Sequence, residues 1–342
     1  MKKIRVIIVD DSAVVRQTLS KLISAEPDME VVATAPDPFV ARDKIVQLKP
    51  DVMTLDIEMP RMDGITFLSK VMHYFPIPTL IISSVTKKGC RTSMKALELG
   101  AMNVIPKPSE AYSIESIEPV LLHSIRSAAR ANIRQLGPRT PDKPPRRIHI
   151  TTTNKILAIG ASTGGTEALK NVMVRLPSNT PGTVIVQHMP PVFTAAYAER
   201  LNGICDMEVR EAKDGDALRP GIALLAPGDF HMVLRRDGAR YFVRVKKGPR
   251  IQHQRPAVDV LFKSVAEFAS RNAVGVVLTG MGKDGAEGLK LMHDAKAHTI
   301  CQDEATSVVW GMPKAAIDVG AADYVEPLDK VADRIQFLLA KK

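Results

Sequence analysis

Two sets of residues in this chain of 342 residues have types and spacings that could do chemistry. In the first half, Asp10-Asp11, Asp56, Ser83 and Lys107 each follow a short apolar run. If those runs are neighbouring parallel strands, their carboxyl ends lie side by side and the residues converge on one crevice. Three carboxylates crowded together repel unless a cation sits among them. Hard oxygen ligands with room for water suit Mg²⁺, which would also neutralise an incoming phosphoryl group. Asp10, Asp11 and Asp56 are therefore the candidate metal ligands, and Asp56 can act as a nucleophile that becomes an aspartyl phosphate. Lys107 offers a point charge and Ser83 a hydroxyl to the phosphoryl oxygens, so that the modified state differs from the unmodified one. Taken alone, Asp10-Asp11 also reads as a helix cap.

In the second half, Gly160-Ala-Ser-Thr-Gly-Gly165 follows an apolar run and opens a helical pattern. It matches G-x-S-x-G, a tight strand-to-helix turn that can present Ser162 as a nucleophile. The dinucleotide fingerprint G-x-G-x-x-G competes for the same segment. Ser162 occupies its middle glycine, however, and the next strand ends in His188 instead of an acidic ribose ligand. A serine needs a base, and His188, 26 residues on, stands at the end of the neighbouring strand. His253 is its one serious rival among eight histidines. A third group must orient the imidazole, and Asp284 follows another apolar strand within Leu278-Thr-Gly-Met-Gly-Lys-Asp-Gly285. Asp284 equally reads as the cap of the helix that follows. The amides of Thr163 and Met281 are both candidate oxyanion donors.

The elements that would position these residues are legible as a pattern. Ile4–Val9, 31–34, 52–55, 79–82 and 103–105 read as strands separated by helix-length segments, a parallel doubly wound sheet. From Lys155 the alternation restarts with strands at 156–160, 183–187, 207–210, 222–225 and 274–279. A hairpin, 231–235 to 241–245, turns at Asp237-Gly238. Expected are a first α/β domain over 1–125, a basic proline-rich linker over 126–154 and a second α/β domain with an antiparallel hairpin over 155–342. Val258, Leu261 and Phe262 form the apolar stripe of one helix.

Composition excludes several classes. Apolar residues make up 45% and charged ones 25%, and the longest apolar runs are far too short to span a bilayer. Three scattered cysteines support neither a disulfide framework nor a zinc site and fit a cytoplasmic protein. The net charge of +10 is concentrated in the middle, where residues 126–154 carry 7 basic and 1 acidic side chains.

Val9-Asp-Asp-Ser, Leu55-Asp-Ile-Glu-Met-Pro-Arg-Met-Asp-Gly64, Ile82-Ser-Ser and Lys107-Pro108 resemble the receiver domain of two-component response regulators. The resemblance implies a flavodoxin-like five-stranded sheet, phosphorylation at Asp56 and a cis bond before Pro108. Ser83 stands where many relatives have Thr.

Gly160-Ala-Ser-Thr-Gly-Gly, Val186-Gln-His-Met-Pro190, Arg255-Pro-Ala-Val-Asp-Val-Leu-Phe262, Leu278-Thr-Gly-Met-Gly-Lys-Asp-Gly285 and Gly311-Met-Pro-Lys-Ala315 resemble the catalytic domain of the chemotaxis protein-glutamate methylesterases, the CheB family. That resemblance implies hydrolysis of γ-glutamyl methyl esters on methyl-accepting chemotaxis receptors, and in many relatives deamidation of receptor glutamines. Ser162, His188 and Asp284 match the family triad, which needs no cofactor for the ester step. It also implies a chemotaxis histidine kinase as phosphodonor, and relief of inhibition when Asp56 is phosphorylated.

A receiver joined through a linker is also the plan of transcription factors, and the basic segment Arg126–Arg147 could contact phosphates. Nothing after residue 155 reads as a helix-turn-helix, so neither nucleic-acid binding nor membrane insertion is expected.

Overall fold

The computed structural model describes residues 2–59, 62–108, 113–132 and 155–340. The chain separates into two compact units, Met1–Pro138 and Arg139–Lys342. That division falls inside the expected linker, most of which lies outside the described residues.

The first unit alternates strand and helix. In order these are β1 (Ile4–Val9), α1 (Ala13–Ser24), β2 (Met29–Ala35), α2 (Pro38–Leu48) and β3 (Val52–Asp56), then α3 (Gly64–Tyr74), β4 (Thr79–Ser83), α4 (Lys87–Glu98), β5 (Asn103–Pro106) and α5 (Ile114–Ala128). The sheet order is β2-β1-β3-β4-β5, all parallel. Strands β3 and β4 are buried along their whole length because helices cover both faces, which explains their unbroken apolar runs. Short polar residues start the helices. Ser12 caps the amide of Val15, Asp37 those of Phe39 and Val40, Asp63 that of Thr66, and Thr86 that of Gly89. Helix α5 continues to Ala128, so Arg126 belongs to this unit and not to the linker, with Nε 2.8 Å from Asp28 Oδ2. The bond before Pro108 is not cis; among the described residues the cis peptide is Arg255–Pro256.

The second unit begins with β6 (Ile156–Ala161), α6 (Gly165–Met173), β7 (Thr183–Gln187), α7 (Phe193–Asn202), β8 (Glu208–Glu211), β9 (Ala217–Leu218) and β10 (Ile222–Leu225). The hairpin strands β11 (His231–Asp237) and β12 (Arg240–Lys246) follow, then α8 (Val258–Phe268), β13 (Ala273–Val277), α9 (Ala286–Asp294), β14 (His298–Gln302), α10 (Met312–Asp318), β15 (Tyr324–Glu326) and α11 (Leu328–Ala340). Seven parallel strands stand in the order β15-β14-β13-β6-β7-β10-β8. The chain winds outward from β6 through β7 to the edge strand β8, inserts β10 between those two, then returns to β13 on the other side. The order therefore reverses between β6 and β13, where an open α/β sheet leaves a crevice at its carboxyl edge.

The expected hairpin is present and gains a third strand, β9, which pairs with β12. The sequence pattern did not register β9, β14 or β15. Strand β9 has two residues, and His298-Thr-Ile-Cys-Gln mixes polar with apolar side chains. The apolar stripe of α8 is in the core, with Val258, Leu261 and Phe262 all fully buried. Among the described residues no helix is long and apolar enough to cross a membrane.

Candidate active site

Strands β13, β6 and β7 are consecutive in the sheet, and the chain leaving each carries one of the expected catalytic residues. Neighbouring parallel strands lie about 5 Å apart, so their ends bring side chains together that are far apart in sequence. Ser162 leaves β6, with its amide bonded to the Thr279 carbonyl at 3.0 Å. His188 leaves β7, with its amide on the Ala161 carbonyl at 3.2 Å. Asp284 comes from the turn after β13.

The Nδ1 atom of His188 is 3.1 Å from Ser162 Oγ, and Nε2 is 2.8 Å from Asp284 Oδ2. All three residues are buried, with 5%, 7% and 2% of their surface exposed respectively. An acceptor carboxylate on Nε2 assigns the proton to that nitrogen, which leaves Nδ1 free to accept from the serine hydroxyl. The order Ser-acceptor-carboxylate is that of a nucleophile, a base and an orienting group.

Asp284 is held from a second side. Its Oδ2 also accepts the Val258 amide at 2.7 Å, and its Oδ1 the Asp259 amide at 2.9 Å. The expected cap of the following helix is not formed by Asp284, because Gly285 is the N-cap of α9; Asp284 instead satisfies the first amides of α8. Burial alone would raise the Asp284 carboxyl. The hydrogen bond and charge of His188, with the two amides, outweigh it and hold the group below its usual range. Asp259, one residue into α8, is pushed up to about 6, chiefly by burial and then by the charges of Asp284 and Glu287, against the Gly288 amide that donates to it.

Glycines make the room. Glycine at 164 takes φ +75, a conformation that L side chains rarely adopt. A Cβ on Gly280 would lie 2.7 Å from Ser162 Cβ and 2.3 Å from Met312 Sδ, so the turn carrying Met281 runs directly against the nucleophile. Among the described residues the Met281 amide has no protein acceptor. The other oxyanion candidate, Thr163, is buried immediately after Ser162.

Gln187 escaped the sequence reading. It is buried, and its Nε2 donates to the Ser162 carbonyl at 2.9 Å and to the His188 carbonyl at 3.3 Å, tying the two residues together. The signal was there: a lone amide ends the apolar strand Thr-Val-Ile-Val-Gln. The rival His253 is exposed on a tight turn, and His231 is occupied by the Pro249 carbonyl and the Ala257 amide.

In the first unit, Asp10, Asp11 and Asp56 each offer an oxygen, and these lie within 4.8 Å of one another. Lys107 Nζ is 2.7 Å from Asp56 Oδ2 and 3.2 Å from Asp10 Oδ2. Burial pushes the Asp10 and Asp56 carboxyls upward against the pull of Lys107. Burial would lower the Lys107 ammonium, but contact with Asp56 and Asp10 holds it raised. Asp10 Oδ2 is buried, with the Lys107 ammonium 3.2 Å away as its neighbour. An all-oxygen cluster in which two of the three carboxylates are buried fits a hard divalent cation. Ser83 Oγ is engaged at 3.3 Å and 3.4 Å by the carbonyls of Ser84 and Gly89, so its hydroxyl is not turned to Asp56. Glu58 and Ser84, given no role of their own in the sequence reading, adjoin this site. The Glu58 amide donates to Asp56 Oδ1, and Ser84 Oγ to Glu58 Oε2.

Fold and site together define a receiver-type unit followed by an α/β unit with a serine-hydrolase constellation. Family models agree with that division: "Response regulator receiver domain" matches residues 6–117 and "CheB methylesterase" residues 157–335. The chain belongs to the CheB methylesterase family. It is 54% identical over 339 residues to a protein-glutamate methylesterase/protein-glutamine glutaminase of Syntrophus aciditrophicus, covering 98% of this chain and 99% of the relative. A Sulfurimonas denitrificans protein of the same description is 50% identical, with 99% of each chain covered. The Thermotoga maritima CheB methylesterase catalytic domain superposes with a TM-score of 0.53 at 41% identity, over 55% of this chain and all of that one.

Proposed function

We propose that this protein hydrolyses γ-glutamyl methyl esters on methyl-accepting chemotaxis receptors, and deamidates receptor glutamines, by a Ser162-His188-Asp284 mechanism switched on by phosphorylation of Asp56. The observation that carries the reading is the continuous hydrogen-bonded line from Ser162 Oγ through His188 to Asp284.

Ser162 Oγ attacks the side-chain carbonyl while His188 Nδ1 takes its proton. The resulting oxyanion is met by backbone amides, with Met281 and Thr163 as donors. His188 returns the proton to the leaving methanol, or to ammonia when the substrate is a glutamine. Water, deprotonated by the same nitrogen, then attacks the acyl-enzyme, releasing glutamate and restoring the serine hydroxyl. Asp284 keeps the imidazole in the required tautomer and balances its transient positive charge. Gln187 keeps the backbones of nucleophile and base in register. No cofactor enters these steps.

In the receiver, Asp10, Asp11 and Asp56 would hold Mg²⁺, which supplies charge neutralisation for phosphoryl transfer. Asp56 accepts the phosphoryl group from a chemotaxis histidine kinase, and Lys107 then pairs with the phosphate it carries. The units are a receiver over 1–125 extended by the last turn of α5, the linker, and a catalytic unit from 155. Phosphate activates by favouring packings in which the catalytic site is open.

The test is methanol release from a methyl-esterified receptor cytoplasmic fragment by the full chain, with Mg²⁺ and a small-molecule phosphodonor. Release that vanishes in Ser162→Ala supports the mechanism. Absence of release with Asp56 phosphorylated refutes it, and salt-sensitive DNA binding in its place would favour a transcriptional role. Release indifferent to the phosphodonor would discard the switch alone.

A further inference from the structure

We propose that the cationic loop from Lys246 to Arg255 is a docking rim for the acidic stretch of polypeptide flanking the scissile glutamyl ester, an inference that rests on the methylesterase reading above.

The loop is anchored beside the catalytic carboxylate. His231 Nε2 donates to the Pro249 carbonyl at 2.8 Å, and its Nδ1 accepts the Ala257 amide at 3.2 Å, so one buried imidazole pins the middle and the end of the loop. Ala257 is the N-cap of α8, and the next two amides of that helix hold Asp284.

Its charge is one-sided. Lys246, Lys247, Arg250 and Arg255 lie within ten residues that contain no acid. Arg255 is committed to structure: Nε donates to Asp229 Oδ1 at 3.0 Å and NH1 to the Gly248 carbonyl at 2.6 Å. Lys247 and Arg250 approach the same Asp229 only at 3.9 Å and 3.5 Å, with 67% and 41% of their side chains exposed. One carboxylate shared by three cations leaves the cluster net positive. Exposed pairs at such distances are worth about 0–1 kcal/mol, so both side chains can turn to an incoming anion at little cost.

The loop is also stiff. Ile251 and Gln254 exchange both backbone hydrogen bonds, closing a two-residue turn with Gln252 at φ 49 and His253 at φ 65. Turns of this kind usually take Asn or Gly, and side chains held at positive φ cluster at ligand clamps. Gln252 Nε2 further ties the turn to Asp259 Oδ2 at 3.1 Å. The cations are thus presented in advance of binding.

The partner's chemistry follows from the reaction. Each ester hydrolysed leaves a carboxylate, so a segment carrying several such glutamates becomes more acidic with every turnover. A positive rim that runs into the start of α8, whose amides hold Asp284, steers and orients that segment.

The test measures binding of a methyl-esterified receptor cytoplasmic fragment to the full chain with phosphodonor and Mg²⁺, in a Ser162→Ala background, at salt from about 50 to 300 mM. The double variant Lys247→Glu/Arg250→Glu should weaken binding at least about tenfold at low salt and flatten the salt dependence. Arg236→Glu/Arg240→Glu makes the same charge change on exposed residues at the far tip of the hairpin and should shift binding less than about twofold. Equal shifts for the two doubles, or none for either, overturn the rim. Methanol release by the chain with native Ser162 is followed in parallel. Loss of release with a rim-specific binding defect sinks only the enzyme reading, and normal release with binding unmoved sinks only the rim.

Discussion

The oxygen of Asp284 that faces His188 also accepts the Val258 amide, at 2.7 Å. One carboxylate therefore both faces the His188 imidazole and caps α8, and in the proposed mechanism the two roles respond differently to substitution. Asp284→Asn retains an acceptor for the helix but loses the charge and the tautomer control, so turnover should fall about 10⁴-fold with little change in melting temperature. Asp284→Ala should show the same loss of turnover and in addition cost about 1–2 kcal/mol of stability in denaturant titrations. A wild-type rate in Asp284→Asn would remove the aspartate from the mechanism.

Asp259 and Asp284 should leave opposite marks on the pH dependence of stability. The Asp259 carboxyl is raised to about 6, so the folded state holds its proton more tightly and stability from this group falls as pH climbs from 3.8 to about 6. Asp284 is lowered, so its contribution is present above 3.8 and is lost as pH drops below that value. Thermal melts of Asp259→Asn against wild type should show the variant gaining in relative stability between pH 4 and 6, with a constant difference above. A difference independent of pH across that range would contradict the assignment.

Gly280→Ala places a methyl 2.7 Å from Ser162 Cβ. The nucleophile must shift or the Met281 turn must open, and a displacement near 1 Å costs about 10²-fold in rate. The expectation is a kcat loss of that order in a folded protein, with labelling of Ser162 by a fluorophosphonate slowed in parallel.

The ammonium of Lys107 touches both Asp56 and Asp10, the groups proposed to carry the phosphoryl chemistry. Asp56→Asn should abolish the response of methanol release to a phosphodonor, and chelation of divalent cations should do the same to the native chain. Lys107→Ala should still accept phosphate, but the phosphorylated form should gain less than about a tenth of the normal stimulation. Full stimulation in Lys107→Ala would separate this lysine from the switch.

Much was legible in the sequence because the fold is built from strands buried on both faces. Such strands must be runs of apolar residues, and a polar residue at their carboxyl end stands out. Asp56, Ser162 and His188 were visible for that reason. The five strands of the receiver and the glycine-rich turn at Ser162 followed from the same pattern. What escaped mostly lacked that contrast, since β9 is two residues long and β15 is three, whereas Gln187 had it and was passed over beside His188.

The sequence by itself determined the residue types of the site, the two-unit plan and the alternation of strand and helix, because these depend on local composition and period. It offered Asp284 both as third triad member and as cap of the helix that follows, whereas the helix it caps is α8. Only the tertiary structure decided this, because strand order is a long-range property. Placing β6 between β13 and β7 sets Ser162, His188 and Asp284 within hydrogen-bonding reach across 122 residues of chain. It also lays the α8 amides, 26 residues before Asp284, against the same carboxylate.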